Sequence, residues 1–160
     1  MIDGDSIVAR LCAAGIAIDG DAAAAGALFR QAWDARRDDY EASIAAHFLA
    51  RHQPSLGESL YWNRVAAQHA EAVTDERARP LLASLYLNLA DNYLALGDST
   101  KAIIVAEQGV AALGFLPADG YRDFVSRGLQ RVCARIQHAR AGRADDDPEW
   151  REGTAPVADI

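Results

Sequence analysis

Lysine, methionine, cysteine and long apolar runs are scarce or absent in this chain of 160 residues. It has one Met, two Cys and five Pro, and Lys101 is its only lysine. Two cysteines without a CxxC or Cys/His spacing exclude a zinc finger, and they are too few for a disulfide-rich scaffold. No apolar run approaches the roughly 20 residues of a membrane span. Alternation of apolar and polar residues is also rare, which argues against a β-sheet protein.

The chain lacks an excess of positive charge. Its formal net charge is −7, which disfavours duplex nucleic acid and anionic membranes as partners because both are negatively charged. Asp3 and Asp5 stand where a secretory signal would have basic residues, so no signal peptide is expected. Cys12 and Cys133 lie in apolar helical patterns and are expected to be free, buried thiols. These features predict a cytoplasmic protein.

Motifs for catalysis and cofactor binding are missing as well. No GxSxG, Walker A or GxGxxG sequence occurs. His47 and His52 are five residues apart and do not share one helix face, so they offer no metal-ligand spacing. The aspartates at 38–39 precede a helical pattern and are typical of helix caps. The sequence therefore predicts no enzyme, no cofactor and no metal site.

What the chain does contain is helical periodicity. Hydrophobic residues make up 51% of it, and many are alanines, which favour helix and close helix packing. Caps, breakers and apolar spacing predict seven helices. Their predicted bounds are 6–16, 21–36, 39–52, 55–73, 80–96, 99–113 and 121–140. We expect residues 1–140 to form one domain and the acidic residues 141–160 to form a flexible tail.

A pattern of small residues recurs along the chain. Gly20 precedes Ala25 by five residues, as Gly97 precedes Ala102. The first set of small, aromatic and small residues is Ala25, Phe29 and Ala32. The positions 34 residues further on are Ser59, Asn63 and Ala66. The next step, from Ser59 to Ala102, is 43 residues, and the extra residues fall near the charged linker at 74–80.

The segment 86–110 resembles a tetratricopeptide (TPR) repeat. The residues that carry the resemblance are Tyr86, Leu89, Ala90, Tyr93, Leu96, Gly97, Ala102 and Ile103. With the recurring pattern, the resemblance covers residues 6–116. It implies an all-α fold of antiparallel helix hairpins stacked as a short TPR-like solenoid, with the seventh helix as a C-terminal cap.

The resemblance also implies a non-enzymatic scaffold that binds a peptide or protein in a concave groove, which the first helix of each hairpin lines. By position in the repeat, the expected groove residues are Tyr40, Ser43, His47, Arg51, Ser84, Leu87, Asn88, Asp91, Arg122 and Ser126. Some TPR proteins hold a chaperone carboxylate in a clamp of lysines, asparagines and an arginine. Asn88 and Arg122 occupy matching places. Ser43 and His47 replace the remaining lysine and asparagine, so the clamp is incomplete.

Three alternatives stay open. A small-molecule or effector site would use the aromatic residues Trp33, Tyr40, Trp62, Tyr86 and Tyr93. A homodimer would pair the exposed ends of two stacks. The arginines Arg127, Arg131 and Arg135 are four residues apart and share one helix face, which is either a solvated surface or an anion-binding stripe. In the second case the acidic tail would fold back on them, with Trp150 as an apolar anchor.

Overall fold

The computed structural model describes residues 6–146, and their side chains as far as residue 142. This part of the chain contains seven α-helices, two short 3₁₀ turns and no β-strand, so the all-helical prediction is confirmed. The helices are α1 (Ile7–Ala17), α2 (Ala22–Asp34), α3 (Asp39–Ala50), α4 (Leu56–Ala72), α5 (Arg79–Ala95), α6 (Ser99–Ala112) and α7 (Gly120–Asp146). The 3₁₀ turns are Glu76–Ala78 and Leu113–Phe115. No helix in the described range is both long enough and apolar enough to cross a membrane.

All but one of the predicted helix ends lie within two residues of the observed ones. The exception is the end of α7, which continues to Asp146, six residues into the segment predicted as a tail. Ala141 and Ala144 favour helix beyond Arg140, Gly142 is accommodated within α7, and the first proline after Arg140 is Pro148. The rest of the predicted tail, including Trp150, lies outside the described residues.

Caps and glycines define the turns between helices. Five N-cap side chains in the described chain each accept a hydrogen bond from a backbone N–H three residues later: Asp21, Asp38, Ser55, Asp98 and Asp119. Gly20 and Gly97 have φ values of 77° and 84°, which L side chains rarely adopt. Ser6 occupies the N-cap position of α1 but makes no side-chain cap hydrogen bond. Its hydroxyl instead donates to Glu41 Oε1 in α3 at 2.7 Å.

Packing joins helices that are close in sequence. The most extensive contacts are between α5 and α6, α3 and α4, and α1 and α2. Smaller contacts join α2 to α3, α4 to α5, and α7 to both α5 and α6. Within the described residues, α1 and α2 make no extensive contact with α5, α6 or α7. The chain therefore packs as three helix hairpins followed by a single long helix.

The recurring small residues occupy the helix contacts. Buried members of the pattern in α2, α4 and α6 are Ala25, Phe29, Ala32, Asn63, Ala66 and Ala102. Ala106 and Gly109, which follow Ala102 at the same spacing as Phe29 and Ala32 follow Ala25, are buried too. Among the described residues, three glycines lie close to a neighbouring helix. An added Cβ at Gly15 or Gly128 would lie 2.6 Å from Phe29 or Leu87, and one at Gly109 would lie 2.7 Å from Leu129 Cδ2 in α7. The alanine-rich composition is thus explained by short distances between helices.

Candidate functional site

A cavity of about 410 Å³ opens between α3, α5 and the start of α7. Its lining residues are Tyr40, Ser43, Ile44, His47, Phe48, Leu81, Ser84, Leu85 and Tyr121. Along α3 and along α5, successive lining residues are mostly three or four positions apart. Residues at that spacing lie on one face of a helix. Four of the predicted groove residues meet here: Tyr40, Ser43, His47 and Ser84. We refer to this space as the α3–α5 cavity.

His47 supplies a hydrogen-bond donor to the α3–α5 cavity. The side-chain amide of Asn88 in α5 donates to His47 Nδ1 at 3.3 Å, which leaves the ring hydrogen of the neutral form on Nε2. Burial, assisted by the positive charge of Arg51, lowers the pKa of His47 to about 4. The ring is therefore neutral at physiological pH. Nε2 has no hydrogen-bond partner among the described residues.

Two serines supply acceptors. Ser43 Oγ donates to the carbonyl of Tyr40 at 2.8 Å, and Ser84 Oγ donates to the carbonyl of Leu81 at 2.9 Å. Each hydroxyl hydrogen is thereby used within its own helix, and the oxygen lone pairs remain available. Among the described residues that line the α3–α5 cavity, none is Asp, Glu, Lys or Arg. The wall is apolar, with a few neutral polar groups.

A second cavity, of about 560 Å³, lies at the other end of α3. Its lining residues are Gly15, Ile16, Ile18, Gly20, Asp21, Ala22, Ala25, Phe29, Phe48, Arg51 and His52. Phe48 belongs to both linings, so the two cavities adjoin along α3. Arg51, a predicted groove residue, is exposed here rather than in the α3–α5 cavity. The Asp21 carboxylate shares this lining and caps α2.

Four other predicted groove residues serve different contacts. Leu87 packs among the buried residues between α5, α6 and α7. Asp91 pairs with Arg135 of α7 at 2.5 Å. Arg122 and Ser126 are half-buried in α7 and are not part of the cavity lining. With Arg51 and Arg122 both outside it, the cavity contains no carboxylate clamp.

One of the three arginines in the α7 stripe forms an ion pair with α5. Arg127 and Arg131 are exposed, whereas Arg135 holds Asp91 of α5. The stripe thus contributes to the contact between α5 and α7. The acidic segment proposed to fold back on it lies outside the described residues beyond Asp146.

The aromatic residues of the effector alternative do not converge on one site. Trp33 of α2 and Trp62 of α4 meet edge to face, with ring centroids 5.0 Å apart. Arg36 lies over the Trp33 ring at 3.7 Å. Tyr86 donates to Glu71 at 2.8 Å. Of the aromatic residues in that set, Tyr40 alone lines the α3–α5 cavity.

Five of the lining residues were not predicted from the sequence. They are Ile44, Phe48, Leu81, Leu85 and Tyr121. The helix register offered a partial signal, because Leu81 and Leu85 flank the predicted Ser84 on the same face. Tyr121 directly precedes the predicted Arg122. The correct helix was therefore predicted, but the residue that lines the cavity is one position before the predicted one.

Comparison with known proteins gives no match: no family model, no curated protein and no solved structure is similar to this chain. In the described range, no cluster of three His, Cys, Asp or Glu side chains is arranged to hold a metal ion. The fold and the site define an all-helical protein with a neutral, largely apolar cavity between two packed helix hairpins.

Proposed function

We propose that this chain is a non-enzymatic interaction module that binds a peptide segment of a partner protein along α3 and α5. The observation that carries the proposal is the convergence of four predicted groove residues on one cavity. Helix-lined clefts with apolar walls and a few polar groups suit ligand recognition. One side chain of the partner would enter the α3–α5 cavity, and the neighbouring surface of α3 would contact the rest.

A TPR-like stacking of the hairpins is part of this proposal. It is supported by packing between successive helices, which is how repeat arrays bury their apolar faces. The buried small residues of α2, α4 and α6 and the left-handed glycines Gly20 and Gly97 support it too. In such an array α3 and α5 are first helices of their hairpins and line the same side.

The proposal is tested by selecting peptides from a displayed library against the purified chain and measuring their affinities calorimetrically. Ser84→Phe places a large ring in the cavity and should weaken a selected peptide by about tenfold or more. Gln108→Phe, the matched control, adds the same ring to an exposed position of α6 and should leave the affinity unchanged. Peptides that bind the Ser84→Phe variant as tightly as the parent would contradict the proposal.

A small-molecule ligand is the second candidate, and the size of the cavity favours it. About 410 Å³ lies within the roughly 300–1,000 Å³ of small-ligand pockets. A thermal-shift screen of neutral metabolites would identify such a ligand by a raised melting temperature, since binding to the folded state stabilises it. Light scattering on the same samples tests the homodimer alternative.

A further inference from the structure

We infer that the α3–α5 cavity selects an uncharged group: an apolar side chain of the partner peptide that ends in a neutral hydrogen-bond acceptor for His47 Nε2–H. The inference rests on the proposed function and specifies the chemistry of the inserted side chain. Acidic and basic side chains, which scaffolds with charged clamps bind, should not enter the α3–α5 cavity.

Charge is the first reason. A carboxylate or an ammonium that enters the cavity loses hydration, and it must gain an ion pair in return. Arg77 lies beside the Tyr40 wall, with its guanidinium carbon 4.9 Å from the ring centroid. It is already paired with Asp75 at 2.9 Å and lies 3.6 Å from Asp38. Arg51 opens into the adjoining cavity instead.

Hydrogen bonding is the second reason. Asn88 holds His47 in the tautomer that carries its hydrogen on Nε2. The oxygens of Ser43 and Ser84 accept hydrogen bonds, because their own hydrogens are used by helix carbonyls. One donor and two acceptors in an apolar wall complement a group such as a carboxamide, which accepts through its oxygen and donates through its nitrogen. A purely aliphatic group would leave the His47 N–H without a partner.

A series of three probes with one shape and different charge tests the inference: benzamide, benzoate and benzamidine. Each is titrated into the isotope-labelled chain at neutral pH, and the backbone amide shifts of Ser43, His47 and Ser84 are followed by NMR. Benzamide should bind at these amides about tenfold or more tightly than either ion, because only the ions lose hydration uncompensated. Equal or tighter binding of benzoate or benzamidine at the cavity, or no cavity shifts with any probe, would overturn it.

Variants at His47 show whether its N–H takes part. His47→Leu removes the donor and should weaken benzamide by about fivefold to tenfold, whereas His47→Gln keeps an N–H donor and should retain most of the affinity. Toluene cannot accept a hydrogen bond from the N–H, so it should bind the leucine variant at least as tightly as the parent. Equal benzamide affinity in the parent and the leucine variant would overturn the role of His47. If a variant is unstable, the comparison of the three probes on the parent chain still decides whether the cavity selects an uncharged group.

The outcomes separate this inference from the proposed function. Preference for benzamide without any peptide binding would keep the cavity chemistry and reject a peptide partner. Peptide binding through the cavity without preference among the three probes would keep the proposed function and reject the selectivity.

Discussion

Glu41 is a buried carboxylate of α3 that accepts several hydrogen bonds. Its carboxylate accepts hydrogen bonds from Ser6 Oγ at 2.7 Å and from the Arg37 backbone N–H at 2.8 Å, and the Arg37 guanidinium also binds it. These bonds, led by those from Arg37, lower the pKa of Glu41 to about 2. The residue thereby ties the start of α1 and the α2–α3 turn to α3.

Replacing Glu41 with Gln should lower the free energy of unfolding by about 1–3 kcal/mol, because the donors lose a charged acceptor. The pKa is near 4.5 in the unfolded chain and about 2 in the folded one, so the stabilisation is present above pH 4.5 and disappears as the pH falls towards 2. Urea unfolding across that range measures it. A variant with the parent's stability at neutral pH would show that the network contributes little.

His47 predicts a separate acid sensitivity. Its pKa falls from 6.5 to about 4 on folding, so the unfolded state takes up a proton first as the pH drops through this window. The parent should therefore lose stability between pH 6.5 and pH 4, and the His47→Leu variant should lose less. The difference, measured by chemical denaturation at the two ends of the window, should reach roughly 3 kcal/mol at most. Parallel pH profiles of the two proteins would contradict the buried neutral imidazole.

Residue-level features of the site could be predicted only in part. The polar residues Ser43, His47 and Ser84 stood out because helical positions with no evident core role indicate a surface or a ligand. The apolar lining residues gave no comparable signal, since Leu81 and Phe48 look the same in sequence whether they fill a core or border a cavity. The pairing of Asp91 with Arg135 depends on how α7 sits against α5, which spacing along one helix does not report.

At the scale of helices, glycine allows close approach between neighbours at Gly15, Gly109 and Gly128. Gly109 of α6 lies under Tyr86 of α5 and Leu129 of α7, and a Cβ there would be 3.3 Å from Tyr86 Cβ as well as 2.7 Å from Leu129 Cδ2. Leu129 is fully buried, and in a close-packed interior its side chain can move aside only by displacing its neighbours.

Gly109→Ala should therefore destabilise the chain by about 1 kcal/mol or more, because overpacking outweighs the gain in helix propensity. Gly57→Ala is the matched control in α4, where nothing lies within 4 Å of the added Cβ. That change should be neutral or stabilising by up to about 1 kcal/mol. Thermal unfolding of both variants measures the contrast, and a Gly109→Ala protein as stable as the Gly57→Ala protein would mean that α6 and α7 pack less tightly than described.

Helices and their turns were the most predictable part of the molecule. Aspartate and serine caps and the left-handed glycines act within a few residues, so the chain itself specifies them. The sequence predicts the end of α7 too early because the charged composition indicates a tail, although Gly142 is the only residue just after Arg140 that strongly disfavours a helix. A charged composition favours contact with solvent, but it does not determine where a helix ends.

For the whole described molecule, the extensive contacts join helices that are neighbours in sequence. α1 contacts α2 and α3, and its Ile7 and Ile16 are 46% and 61% exposed. α3 is enclosed by helices on several sides, and most of its residues are buried. Stability in such an arrangement need not be uniform, because each hairpin is supported mainly by its neighbours.

Native-state hydrogen exchange should consequently show lower protection in α1 than in α3. The amides of α1 are expected to exchange through a local opening that costs less free energy than global unfolding, while those of α3 exchange only on global unfolding. Equal protection in the two helices would indicate a single cooperative unit rather than hairpins supported by their neighbours.

The proposed binding of a partner in the α3–α5 cavity is measured most directly by an NMR titration of the full chain with a peptide selected for binding. We expect the largest amide shifts to fall at 40–48, 81–88 and 121. Shifts confined to the outer faces of α2, α4 and α6 would contradict it.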